Sequence, residues 1–120
     1  IDPYRFAEIQ AFLSETPITQ WCKRMAVGDD MFSEESITAV ETALTEYVQT
    51  LCEAVQKKNA TTVYNSMGKL VKKLNKINDK YGLIETMERE ELCEWMNIII
   101  RKTGLELEDN LDITDEYREW

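Results

Sequence analysis

Five carboxylates near the C-terminus have the spacing of a metal site. Glu90 and Glu91 are followed by Glu94, and Glu106 by Asp109, giving EExxE and then ExxD. On a helix, residues three and four apart share a face, so each half would present its oxygens together. Hard oxygen ligands at helical spacing are what Mg²⁺ requires. Against this, Gly104 breaks the chain just before the second half, and any acidic helix face produces EExxE. No other catalytic constellation is visible. Histidine is absent, which removes Ser-His and Cys-His nucleophile pairs, His-ligated zinc and the commonest general base near neutral pH.

Cys22, Cys52 and Cys93 are far apart and form no CxxC pair. Odd in number and set in or beside apolar stripes, they read as buried free thiols of a reducing compartment, the cytoplasm. No apolar run approaches the ~20 residues of a membrane span. The chain starts at Ile1 rather than Met, which leaves open a preceding segment.

What remains is electrostatic chemistry. The net charge is -9, so nucleic acid is a disfavoured partner for the molecule as a whole. The charges are also segregated. Lys69, Lys72, Lys73, Lys76 and Lys80 fall on one face of a helix at ~100° per residue. Carboxylates gather downstream, at Glu85 to Glu94 and again at Glu106, Glu108, Asp109, Asp112, Asp115, Glu116 and Glu119. The lysine face is expected to be solvated and partly neutralised by the protein's own acidic segment, with an acidic partner as the alternative.

The elements that position these groups are helices. Ile37, Val40, Leu44, Tyr47, Leu51 and Ala54 recur at steps of three and four, and Val63, Met67, Leu70, Leu74, Ile77 and Tyr81 keep the same rhythm. Two apolar stripes of that length predict an antiparallel hairpin over about 34–58 and 60–81. Asp2-Pro3 and Thr16-Pro17 each carry the start signal of a shorter helix. Ser33 would cap the first hairpin arm, and Thr86 a fifth helix burying Leu92, Trp95, Met96 and Ile99. Trp21 and Trp95 lie on apolar stripes and read as core; Tyr4, Tyr64 and Tyr117 are unassigned. Gly68 sits mid-helix, where glycine costs about 1 kcal/mol against alanine; a close neighbouring helix or a local irregularity would account for it. Thr114 is expected to start a last helical turn pinned by Tyr117 and Trp120.

Two resemblances follow from these residues. Glu90-Glu91-x-x-Glu94 with Glu106-x-x-Asp109 resembles the pattern of the all-α nucleoside triphosphate pyrophosphatases, which implies Mg²⁺ held by Glu90, Glu91, Glu94, Glu106 and Asp109. The ending Asp112 to Trp120 and the stretch Ile84 to Glu91 resemble small, acidic, uncharacterised bacterial proteins, some of which are immunity proteins that cover the active face of a basic toxin. Folding alone could also explain that ending, with Trp120 as an anchor and Arg118 paired with a nearby carboxylate.

The expectation is therefore one all-α domain over 1–120, a compact bundle of about five helices organised around the hairpin. Its function would be non-catalytic protein binding, an immunity-like inhibition of a basic partner, with no cofactor, no nucleic acid and no membrane. The partner would meet Glu106, Glu108, Asp109, Asp112, Asp115, Glu116, Tyr117 and Glu119, the carboxylates steering and Tyr117 anchoring. The alternatives are a Mg²⁺-dependent hydrolase of the pyrophosphatase kind and a structural subunit of a helical oligomer.

Overall fold

A computed structural model describes all residues, Ile1–Trp120. It is all-helical, with no strand. The long helices are α3 (Glu34–Gln56) and α4 (Ala60–Tyr81), preceded by α1 (Phe6–Ala11) and α2 (Ile18–Ala26) and followed by α5 (Thr86–Lys102). Four helices run nine residues or more; α1 has only six and is flanked by 3-10 turns at Pro3–Arg5 and Phe12–Glu15. The single N-terminal helix expected from Asp2-Pro3 is thus a broken run. Asp2 does cap it, accepting from the Tyr4 N–H at 3.0 Å, but only Ile9 among Pro3–Glu15 is fully buried. Phe12 and Leu13 pack against the core only in part, which gives little burial to hold a longer cylinder, and short helices depend on packing.

The hairpin forms, its first arm ending at Gln56. Ser33 and Ser36 build a reciprocal cap, each side chain accepting from the other's backbone N–H at 3.1 and 2.9 Å. Lys58 turns the chain with φ 54, and Asn59 caps α4 through the Thr62 N–H at 3.1 Å. Gly82, at φ 65, ends it. From the two stripes, Val40, Leu44, Leu51, Val63 and Leu74 are wholly enclosed, while Ile77 and Tyr81 are half-buried.

One cluster of 25 buried side chains draws members from all five helices. Trp21 and Trp95 belong to it: Trp21 stacks on Phe32 at 5.5 Å and Trp95 on Phe12 at 5.8 Å. Glu85 and Glu88, not Thr86, close the start of α5, the Glu85 N–H donating to the Glu88 carboxylate at 3.2 Å. The cysteines depart from expectation. All three are free, but Cys22 is exposed and Cys52 and Cys93 are half-buried. Trp21, Leu51 and Leu92 beside them face the core, and the cysteines lie off that buried face. No helix is long and apolar enough to cross a membrane.

Candidate functional site

Beyond α5 the chain has no regular structure, yet it is tightly held. Two helices supply the grip. From α5, Arg101 donates to the carbonyls of Glu108 and Leu111, both at 2.9 Å. One turn earlier, Asn97 uses both ends of its amide: Nδ2 donates to Asp112 at 3.0 Å, and Oδ1 accepts the Ile113 N–H at 2.9 Å. From α4, Asn75 does the same further along. It donates to the Tyr117 carbonyl at 2.8 Å and accepts the Glu119 N–H at 3.1 Å. Asn75 is only 6% exposed, so these bonds are made largely out of water, where leaving them unmade is costly.

Inside the arm, Asp112 is the hub. It accepts from the Thr114 N–H and hydroxyl at 3.0 and 2.6 Å and lies 3.5 Å from Arg118. Burial alone would raise its pKa, but the hydrogen bonds from Asn97 and Thr114 and the Arg118 charge outweigh it, and its carboxyl sits below the ordinary range. Arg118 also donates to the Cys93 sulfur at 2.7 Å and stands over the Trp120 ring at 5.6 Å. The helical turn expected from Thr114 is a plain turn. Asp112, two residues earlier, takes the capping bonds.

Tyr117 explains Gly68. Its ring lies so close that a Cβ at residue 68 would sit 3.0 Å from it. The close neighbour is a side chain of the arm, neither of the two explanations expected, a neighbouring helix or a local irregularity. The Lys72 ammonium stands 4.2 Å from the centre of the same ring, within cation–π range. Tyr117 keeps 43% of its surface exposed, and the adjacent Glu116 charge pushes its pKa up.

The carboxylates assigned to partner binding divide into two sets. Glu106, Glu108, Asp109, Glu116 and Glu119 are exposed and make no ion pair. Asp112 is a correction: it is committed to holding the arm. Asp115 faces solvent but lies 3.5 Å from Arg118. Asn75, Asn97 and Arg101 escaped the sequence reading. Gly68 and the polar Asn75 beside the apolar stripe of α4 were the only signals pointing to them.

The metal set is not gathered. Glu91 takes Arg24 at 2.6 Å and the Trp21 indole N–H at 3.2 Å, while Glu90 and Glu94 face solvent. Glu106 and Asp109 lie beyond the break at Gly104. No group of three or more acidic or thiol side chains is placed to share an ion. Two carboxylates of α5, Glu88 and Glu91, serve packing instead: Glu88, 4% exposed, pairs with Arg24 at 3.0 Å and helps Glu91 tie α5 to α2. The Arg24 guanidinium is held charged, chiefly by its hydrogen bonds to Glu91.

The lysine face is solvent-exposed as expected. Its neutralisation differs, because Lys73 pairs at 2.7 Å with Glu46 of α3, and none of its lysines meets a carboxylate of the arm.

No protein-family model, curated protein or solved structure matches this chain.

Proposed function

We propose that this protein is a non-catalytic binding protein that takes a basic protein partner on its C-terminal acidic arm, as an immunity-like inhibitor would cover a cationic toxin. One observation carries the reading. Five carboxylates (Glu106, Glu108, Asp109, Glu116 and Glu119) are left without a cation by the fold, on backbone fixed from both sides by Asn75, Asn97 and Arg101. An arm already ordered gives up little conformational entropy when it binds. The half-exposed Tyr117 ring, seated on Gly68, offers a rigid aromatic anchor among those charges.

The net charge of -9 favours fast encounter with a cationic partner at low salt. The test starts with the protein that co-purifies with this chain from its native host and measures association by stopped flow. Glu116→Lys with Glu119→Lys should slow association about ten-fold at low ionic strength. That difference should fade as salt shortens the screening length towards ~8 Å. Lys76→Glu with Lys80→Glu, on the opposite charge face, should leave the rate unchanged or raise it. The reverse pattern would move the site to the lysine face of α4 and make the partner acidic.

A further inference from the structure

A groove of about 440 Å³ separates α5 from the chain leading into α2. Glu94 and Ile98, one turn apart on α5, line one side, and Phe12, Glu15 and Gln20 the other. No lysine or arginine lines it. Of its three carboxylates, Glu91 is taken by Arg24 and the Trp21 indole. Glu15 and Glu94 are exposed and make no ion pair. Ile98 is 40% exposed, although Ile99 and Ile100 beside it are wholly enclosed. The groove thus sets an uncovered aliphatic side chain and the half-buried Phe12 ring beside two carboxylates that the fold leaves unneutralised. The apolar surface fits an aliphatic stem, and the carboxylates a cation at its end. A lysine side chain combines the two, and its compact ammonium can serve carboxylates from two elements at once.

Position supplies the partner. The helix that carries Glu94 and Ile98 also grips the arm, through Asn97 and Arg101. An α-helix is only ~10 Å across with its side chains, so groove and arm fit within the ~800 Å² that one stable partner covers. We infer that the groove receives a lysine side chain of the basic partner, its stem on Ile98 and Phe12 and its ammonium at Glu15 and Glu94. The inference rests on the function proposed above and adds to it the contact that holds the partner once it has arrived. The exposed charges of the arm act on encounter, whereas a stem and cation seated in a groove act on departure.

n-Butylammonium, the lysine side chain without its backbone, is the probe, titrated into the full chain at constant ionic strength and followed by amide chemical shifts. It should give saturable shifts at Gln20, Glu94 and Ile98, with a Kd on the order of 10 mM. Potassium has the charge without the stem and 1-butanol the stem without the charge, and neither should do so. Glu94→Gln and Ile98→Ser, both at exposed positions, should each weaken n-butylammonium about three-fold or more. Against the co-purified partner, the same two substitutions should speed dissociation about five-fold or more and leave association nearly unchanged. That is the opposite of the effect expected from Glu116→Lys with Glu119→Lys. The two readings therefore fail separately. If those arm variants slow association but Glu94→Gln and Ile98→Ser leave dissociation unchanged, the groove inference alone falls. It also falls alone if n-butylammonium gives no saturable shift in the groove, or if 1-butanol matches it. Tighter binding of n-propylguanidinium would replace lysine by arginine and overturn the assignment. If the arm variants leave association unchanged, the proposed function falls and takes this inference with it.

Discussion

In the α3–α4 hairpin, Val40, Leu44, Leu51, Val63 and Leu74 are enclosed by facing helices. In the arm over 105–120, the chain is held by Asn75, Asn97, Arg101 and Arg118, each through a few directed bonds. Burial of the first kind is additive and tolerant, since many side chains share it and no single distance matters. Bonding of the second kind is sparse and specific. Remove one amide and two backbone anchors go with it. The hairpin should therefore fail only with the whole molecule, whereas the arm can open alone, as loosely packed segments do.

The largest expected effect lies in the hairpin. Leu44→Ala or Leu74→Ala should each cost about 2–5 kcal/mol, from lost burial and the cavity left behind. Denaturant melts would read it, and a loss below about half a kilocalorie for both would refute the claim that the stripes carry the stability. Asn75→Ala comes next. It removes both anchors of the arm's end and should cost about 1–3 kcal/mol in arm closure. Hydrogen exchange should show the Glu119 amide losing protection while α3 and α4 keep theirs. Equal loss in both regions would erase the contrast between them.

Gly68→Ala sets the two regions against each other. The substitution favours α4 by about 1 kcal/mol, but its Cβ would meet the Tyr117 ring at 3.0 Å. The overall melting temperature should change little, while the arm becomes more open to exchange. A stabilised protein with an unchanged arm would show that the ring yields without loss.

Acidification gives the smallest effect. The folded-state pKa of Asp112 lies below its ordinary value of 3.8, so the unfolded arm takes up the proton first as pH falls. Its contribution is full above that ordinary value and is lost as pH drops through the folded pKa. Arm amides should lose protection below about pH 4 ahead of the hairpin amides. Asp112→Asn should flatten that early phase.

The hairpin was legible in the sequence because its cause is local and periodic. Steps of three and four put Val40, Leu44 and Leu51 on one face whatever they later meet, and Ser33 marks the start of the first arm by chemistry that acts within a turn. The enclosure of Trp21 and Trp95 follows from the same pattern. The charge segregation could be read as well, since it is a property of composition along a helix. The uses of individual charges could not. Glu91 and Glu116 look alike in the sequence, yet one is neutralised by Arg24, 67 residues away in the chain, and the other is left in solvent. Asn75 meets the arm 42 residues later, and Gly68 is explained only by the ring of Tyr117. Periodicity says which way a side chain points. What it meets there depends on how separate helices pack, which the tertiary structure alone decides.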